Sequence, residues 1–242
     1  MRYEIALAVL LLVPFTGMRE HPRKVNLGAP MQSRLEQKLD QRIGGFDTAG
    51  CTFVGCVTAL AYCYELPTAI EYVDRDAAHR TLNLKFHDPS VREVLEALAQ
   101  QTPEYRLSFS EGLVDVYSPR ARADDSNVLN RIIRDYKVTG METRRADFQL
   151  FCELGEKLGG KWCGGSLAIG QWEPTRISLH LQNAKAYEVI NAIVAQNGSA
   201  IWTVTARPDR MSKIQDSGSW YVYPLEPAFQ SIVVDRLERA GR

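Results

Sequence analysis

The sequence lacks an excess of charge of either sign. Its 242 residues include 29 lysines and arginines and 29 aspartates and glutamates, so the formal net charge at pH 7 is zero. Binding to a nucleic-acid backbone requires a basic excess or at least a basic stripe, and none runs along this chain. The charge pattern therefore argues against a nucleic-acid partner.

Metal-binding spacings are lacking as well. The chain holds four widely spaced histidines and five cysteines that form no C-x-x-C pair: Cys51, Cys56, Cys63, Cys152 and Cys163. Structural zinc sites need closely spaced ligands such as C-x-x-C, so the sequence predicts no metal site. If the chain is exported, it holds at most two disulfides and one unpaired thiol, whose pairing the spacing does not decide. In a reducing compartment most of these cysteines would be small buried apolar residues.

No apolar run reaches the roughly 20 residues that a membrane-spanning helix needs. Residues 5–15 form a shorter apolar run behind Arg2, which is typical of a secretory signal peptide. Glu4 and the lack of a small-x-small cleavage site depart from that pattern, and a misplaced start codon or a buried helix would explain the same run. We interpret residues 1–18 as a signal peptide or N-terminal anchor and residues 19–45 as a linker with a short helical candidate at 33–42.

What the sequence does contain is an internal repeat, since residues 82–101 and 177–196 align without a gap, 95 positions apart. Each copy opens with apolar residues at every second position, which predicts a strand with one buried face: Leu82, Leu84 and Phe86, then Ile177, Leu179 and Leu181. Asp88 and Asn183 end these strands and are predicted to be helix N-caps, with Pro89 at the first helical position.

An amphipathic helix follows each strand. Apolar residues recur at i, i+3, i+4, i+7 and i+8, first at Val91, Val94, Leu95, Leu98 and Ala99, then at Ala186, Val189, Ile190, Ile193 and Val194. A hairpin is predicted next, with strands at 105–109 and 113–117 around a turn at Glu111 and Gly112. In the second copy the corresponding strands are 201–205 and 220–223, separated by a longer polar loop.

A helix and a strand are predicted before each copy, at 53–65 and 69–73 and again at 146–158 and 161–170. The expected fold is therefore α+β, with two tandem α-β-β-α-β-β units of about 95 residues and helices on one face of small sheets. The predicted boundaries are 46–118 for the first unit, 119–127 for a polar linker, 128–225 for the second unit and 226–242 for a C-terminal helix or tail.

The order of strand, Asp or Asn stop, amphipathic helix and hairpin resembles the short domain at the N-terminus of secretins and TonB-dependent receptors, here called the STN domain. Residues 81–117 and 176–223 each resemble one such module. The resemblance implies a periplasmic, non-catalytic module that docks other proteins by adding strands or stacking in rings. The chain has no room for the long run of outer-membrane strands that a secretin pore or receptor barrel needs.

Two motifs suggest chemistry only weakly. Residues 155–161 spell G-x-x-x-x-G-K, but Trp162 follows where a phosphate loop needs Ser or Thr, and a helix precedes where a strand is needed. Cys163 lies in a glycine-rich stretch, but a cysteine nucleophile needs a basic partner, and nothing in the sequence brings His79, His87 or His180 beside it. A disulfide or an inert thiol is the simpler interpretation.

The remaining polar clusters have ordinary explanations. Asp74 and Asp76, like Asp124 and Asp125, fall in turn-like stretches where solvated charges are the norm, and His21 lies in the predicted linker. The strand at 220–223 is aromatic on both faces, which fits either a partner on one face or a cover by the C-terminal helix.

The sequence therefore predicts no catalytic, cofactor-binding or metal-ligating residue and no cofactor. The expectation is a periplasmic or cell-envelope protein-interaction module with an envelope protein as partner, self-association as a further option, and no nucleic acid. The alternative is an exported enzyme or small-ligand binder that uses the glycine-rich loop around Cys163.

Overall fold

The computed structural model describes residues 29–72, 75–125, 127–157, 175–199, 201–206 and 220–222. Its helices are α1 Ala29–Leu39, α2 Phe53–Cys63, α3 Arg75–Ala78, α4 Val91–Gln100, α5 Pro119–Ala123, α6 Thr143–Lys157 and α7 Ala186–Asn197, with a 3-10 turn at Val128–Asn130. Its strands are β1 Gly45–Asp47, β2 Cys51–Thr52, β3 Thr68–Tyr72, β4 Thr81–Leu82, β5 Lys85–His87, β6 Arg106–Ser110, β7 Leu113–Tyr117, β8 Ile132–Glu142, β9 Arg176–Lys185, β10 Ile201–Ala206 and β11 Trp220–Val222. Helices and small sheets of this kind make an α+β fold, as predicted.

The largest sheet has five strands in the order β11-β10-β3-β7-β6. Strand β3 lies parallel to β7 on one side and to β10 on the other, while β6 and β11 each pair antiparallel with their hairpin partners. The sheet therefore contains strands from both halves of the chain. The sequence did not predict this pairing, because the residues in β3 and β10 are more than 130 positions apart.

Each face of this sheet packs against the helices of a different half of the chain. Ile70, Val114 and Ile201 are buried on one face with residues of α2 and α4. Ala69, Leu113 and Trp202 are buried on the other face with residues of α7. Because side chains alternate between the faces of a strand, β3 and β7 contribute to both hydrophobic clusters. The predicted arrangement, with helices on one face of each sheet, is therefore wrong for this sheet.

Two-stranded sheets pair the strand before each amphipathic helix with an earlier strand. In β1–β5, Phe46 lies opposite Phe86, and in β8–β9, Tyr136 lies opposite Leu181. Phe46 and Tyr136 are 90 positions apart in the chain, whereas Phe86 and Leu181 are 95 positions apart. Helices α2 and α6 also begin 90 positions apart. The predicted offset of 95 residues is therefore wrong for the first part of each half, where the offset is 90. The difference arises because residues 143–180 contain five more positions than the corresponding residues 53–85.

The first repeated strand, predicted to run unbroken through residues 82–86, is interrupted between β4 and β5. The buried side chain of Thr48 accepts a hydrogen bond from the amide of Leu84 at 2.6 Å and donates to its carbonyl at 3.3 Å. A side chain that binds both backbone groups competes with the ladder of the sheet, so the strand stops at this position.

The predicted N-caps are wrong. Helix α4 is capped by Ser90, whose hydroxyl accepts from the amide of Glu93 while the Glu93 carboxylate accepts from the amide of Ser90. Asp88 and Asn183 instead adopt left-handed backbone conformations, with φ of 50° and 52°. Asp and Asn tolerate this conformation better than most residues, which explains why one of them occurs at each position. Strand β9 continues past Asn183 to Lys185, which precedes α7.

The hairpin prediction for the first copy is confirmed. Strands β6 and β7 are joined by Glu111 and Gly112, both with positive φ, at 57° and 80°. Two positive φ values define the turn whose twist matches that of the flanking strands. A Cβ on Gly112 would lie 2.8 Å from the Cβ of Met31, so helix α1 also requires glycine here.

The stretch at 119–127, predicted to be a linker, contains the short helix α5. Ser118 caps this helix, because its hydroxyl accepts a hydrogen bond from the amide of Ala121. The buried side chain of Asn127 donates to the carbonyl of Ala121 at 3.0 Å. Helix α1 likewise lies within the predicted linker at 19–45, where Leu35 and Leu39 are buried.

Several predictions lie outside the described residues: the signal peptide or anchor at 1–18, the strand or loop at 161–170, most of the polar loop before β11, and the C-terminal helix or tail at 226–242. In the part of the chain that the structure describes, no helix is both long and apolar enough to cross a membrane.

The cap assignment makes a testable prediction. We expect Ser90→Ala to lower the free energy of unfolding by about 1 kcal/mol, because it leaves a helix amide without its partner. We expect Asp88→Gly to change it by less than about 0.5 kcal/mol, because glycine adopts positive φ without strain and the lost ion pair with Arg42 is exposed. Urea denaturation of both variants measures the two values. A larger loss of unfolding free energy for Asp88→Gly than for Ser90→Ala would contradict this assignment and support Asp88 as the N-cap.

Candidate functional site

The described part of the structure does not bring together the residues that the sequence suggested for cysteine chemistry. Cys163 lies outside it, and the exposed residues His87 and His180 lie on the separate strands β5 and β9. The His180 imidazole lies 2.8 Å from the carboxylate of Asp135 on the neighbouring strand. Among the described residues no group of three or more His, Cys, Asp or Glu side chains could hold a metal ion.

The other polar candidates remain apart. Asp124 and Asp125 are exposed just after α5, and Asp74 lies outside the described residues. Of the residues that spell G-x-x-x-x-G-K, 155–157 form the end of α6 and the rest lie outside the described part.

Two of the cysteines form a disulfide, Cys51–Cys56, at the start of α2. Cys63 at the other end of that helix is a free thiol. Although the residue is exposed overall, partial burial of the thiol raises its pKa to about 11. Because the thiolate is the nucleophilic form, Cys63 is poorly suited to nucleophilic chemistry at neutral pH.

The structure instead assembles a cluster of buried charges that the sequence reasoning missed. Glu71 on β3 and Asp115 on β7 both point to the face of the five-stranded sheet that α7 covers. Arg122 on α5 bridges them: its Nε donates to Glu71 Oε1 at 2.7 Å, and its Nη2 lies 2.8 and 2.7 Å from the two oxygens of Asp115. Glu71 is 0% exposed and the side chain of Arg122 is 18% exposed, so the three charges are largely removed from water.

Two tyrosines complete the surroundings of the guanidinium. The Arg122 Cζ lies 3.9 Å from the ring centroid of Tyr117 on β7 and 4.3 Å from that of Tyr187 on α7. Both distances are within the range of cation–π attraction, which strengthens when the cation is desolvated. Tyr187 belongs to the second half of the chain, so Arg122 connects α5 to both halves.

A chain of hydrogen bonds extends the cluster to β10. The Asn191 side chain on α7 hydrogen-bonds the carboxylate of Asp115, and its Oδ1 accepts from the indole N–H of the buried Trp202 at 3.0 Å. Buried polar groups need such partners, because an unpaired one costs about 1–3 kcal/mol. Within this cluster Glu71 Oε2 is an exception, since it is buried without a hydrogen-bond partner among the described residues.

Burial dominates the electrostatics of both acids. It raises the pKa of Glu71 to about 7, although the charge and hydrogen bonds of Arg122 act in the opposite direction. Burial also raises the pKa of Asp115, against the favourable effects of Arg122 and Asn191. Two carboxyl groups share one guanidinium, so the cluster is neutral only while one of them is protonated. Because Glu71 is fully buried, the arrangement suits a change of protonation inside the fold rather than proton transfer to a substrate.

The sequence did contain a signal for this cluster. Glu71 is the one charged residue of its strand and directly follows Ala69 and Ile70. Asp115 lies between Val114 and Val116 in a strand whose two faces are both buried. An ionisable residue in a strand buried on both faces needs a partner of opposite charge. Arg122 was assigned to a linker, so its role as that partner was not recognised.

The second candidate feature is the outer edge of β6. In a hairpin with a two-residue turn, the backbone groups of Leu107 and Phe109 point away from β7. Among the described residues no strand pairs with this edge. The amide of Gln32 on α1 covers its end, since Nε2 lies 3.4 Å from the Phe109 carbonyl and Oε1 accepts from the Gly112 amide at 2.9 Å. Arg92 on α4 stacks over the Phe109 ring at 4.7 Å, so the edge combines half-buried apolar and cationic groups.

Comparison with protein-family models, with curated proteins and with solved structures finds no match to this chain.

The role of Arg122 can be tested by removing it. We expect Arg122→Ala to lower the free energy of unfolding by about 3–5 kcal/mol at pH 7, because it leaves two buried carboxyl groups without their cation. The loss of stability should be smaller at pH 5. Burial raises the pKa of both acids, so at pH 5 a larger fraction of them is protonated and no longer needs a cation. The control is Arg120→Ala, an exposed arginine on the same helix. Equal effects of the two variants in urea denaturation would contradict a stabilising role for the cluster.

Proposed function

We propose that this chain is a non-catalytic protein-interaction module of the cell envelope, built from two tandem STN-like units, which binds a partner by adding a strand to the edge of β6. The observation that carries the proposal is the pairing of β10 with β3. It supports strand addition because the chain already uses the corresponding edge of its second hairpin in this way.

The tandem arrangement is supported by register as well as by sequence pattern. The pairings Gly45–His87, Phe46–Phe86 and Asp47–Lys85 in β1–β5 correspond one to one with Asp135–Gln182, Tyr136–Leu181 and Lys137–His180 in β8–β9. The left-handed residues Asp88 and Asn183 occupy matching positions, immediately after these pairs in the chain. The shared register and the shared left-handed backbone conformation therefore both support the tandem arrangement.

The same correspondence relates β6 to β10, whose first residues, Arg106 and Ile201, are 95 positions apart. Each strand pairs antiparallel with its own hairpin partner on one side. On the other side β10 pairs in parallel with β3, whereas β6 has no partner among the described residues. An unpaired edge with outward backbone groups is a template for an additional strand, and we propose that the partner supplies that strand in parallel orientation.

Export is supported by two features. The apolar run at 5–15 fits a signal peptide, and the disulfide Cys51–Cys56 is of the kind that persists in oxidising compartments such as the periplasm. The proposed partner is therefore an envelope protein.

Strand addition predicts that partner binding depends on the outward amide of Leu107. We expect Leu107→Pro to abolish binding, because proline removes this amide and its ring obstructs an incoming strand. Leu107→Ala is the matched control, since it loses the same side chain but keeps the amide. The measurement is a crosslinking pull-down from the cell envelope, with the cytosolic fraction as a background sample.

Three outcomes are informative. Recovery of one envelope protein with wild type and Leu107→Ala, but not with Leu107→Pro, supports the proposal and names the partner. Equal recovery with Leu107→Pro contradicts strand addition at β6. Recovery that is lost in Cys163→Ser instead favours the alternative use of the loop around Cys163.

A further inference from the structure

The cluster of Glu71, Asp115 and Arg122 lies where three layers meet. Glu71 and Asp115 belong to the sheet and Arg122 to α5, and the ring centroid of Tyr187 on α7 lies 4.3 Å from the guanidinium Cζ. With both carboxyl groups ionised the three residues carry a net charge of −1 in a site that water reaches poorly. Burying an uncompensated charge is expensive, so the packing of these layers must depend on the protonation of the acids.

No other charge facing the cluster removes this excess. On α7 the nearby ionisable groups are Tyr187 and Glu188, and the hydroxyl of Tyr187 lies 3.5 Å from the carboxylate of Glu188. Lys185 precedes α7 at the end of β9. Its Nζ lies 5.7 Å from the centroid of the Tyr187 ring and, among the described residues, forms no ion pair with Glu71 or Asp115, both of which pair with Arg122. Strand β7 adds Tyr117, and α5 adds only Arg122 itself. The described surroundings therefore supply one cation within hydrogen-bonding distance of the two buried acids.

We propose that Glu71, Asp115 and Arg122 form a proton-controlled joint, which holds α5 and α7 against the five-stranded sheet while one carboxyl group is protonated and loosens when both are ionised.

The direction of the pH dependence follows from Glu71. Its pKa in the fold is raised to about 7 by burial, from an ordinary value of 4.5. A group with a raised pKa stabilises the closed arrangement fully below its ordinary pKa, and that stabilisation is lost as the pH rises through the raised value. The joint is therefore tight at pH 6 and looser at pH 8. Arg122 and a backbone hydrogen bond from Ser118 favour the ionised form of Glu71, but burial outweighs them, and Oε2 has no partner within hydrogen-bonding distance among the described residues.

The part that opens is expected to be α5 and the beginning of α7. Helix α5 has only five residues, and Arg122 in its last turn provides its ion pairs with the sheet. Short elements with few buried contacts open locally before the whole fold does. The strands themselves are held by ladders of backbone hydrogen bonds on both sides of β3 and β7.

Hydrogen exchange tests the joint in the intact chain. After correction for the intrinsic rate, we expect amides in peptides covering 118–130 and 186–192 to exchange about tenfold faster at pH 8 than at pH 6, because one proton is released on that interval. Glu71→Gln should remove this difference, since the amide is neutral at both values. Glu96→Gln, an exposed glutamate on α4, is the control and should behave as wild type. An unchanged pH difference in Glu71→Gln would overturn the proposal, as would its absence from the wild type.

A second measurement needs no variant at this position. In a carbon NMR titration of glutamate-labelled wild type, the Glu71 carboxyl should titrate near pH 7. The indole N–H of Trp202, which reaches Asp115 through Asn191, should shift with the same midpoint. A Glu71 midpoint near 4.5, or a Trp202 resonance that does not respond between pH 6 and 8, would show that no such joint exists.

Discussion

The parallel pairing of β3 with both β7 and β10 is the constraint on which the rest of the structure depends. It joins strands from the two halves of the chain into one sheet and leaves β3 with a neighbour on each side. Because α2 and α4 cover one face and α7 the other, every side chain at the centre of β3 is buried. Parallel strands covered on both faces are usually apolar throughout, and Ala69 and Ile70 follow that rule.

Glu71 breaks the rule, and the charge cluster follows from that exception. A carboxyl group at the centre of a covered sheet needs a cation, which α5 supplies through Arg122. The segment between the two halves therefore forms a helix that contacts the sheet and is not an extended linker. Replacing a buried ion cluster by apolar residues is often neutral or stabilising in other proteins. We therefore regard the cluster as a device that couples the halves in a way that depends on protonation, rather than as a source of stability alone.

Much of the local structure could be predicted from the sequence. Periods of two and 3.6 located the repeated strands and helices, and Glu111-Gly112 located the first hairpin turn. The caps were misassigned because Asp and Asn favour both N-caps and left-handed turns, and the sequence pattern alone does not separate these roles at Asp88 and Asn183. The five-residue length difference between the halves was missed because the gap-free match covered only residues 82–101 and 177–196.

The sheet common to both halves and its charge cluster could not be predicted in the same way. Pairing between β3 and β10 joins residues far apart in the chain, and periodicity carries no information about which strands become neighbours. Without that pairing, Glu71 and Asp115 appear as isolated acids and Arg122 as one of many surface cations. The unusual position of a glutamate inside an apolar strand was the one available signal, and it indicated that a partner was needed without identifying it.

The most direct test of this account is whether the two halves unfold together. Equilibrium denaturation in urea, followed by NMR resonances of Leu60 and Leu98 in the first half and of Leu150 and Ile193 in the second, reports each hydrophobic cluster separately. A sheet that contains strands of both halves predicts coincident transitions with one midpoint, as in a single cooperative unit. Two separate midpoints would contradict the pairing of β3 with β10 as the interaction that holds the fold together.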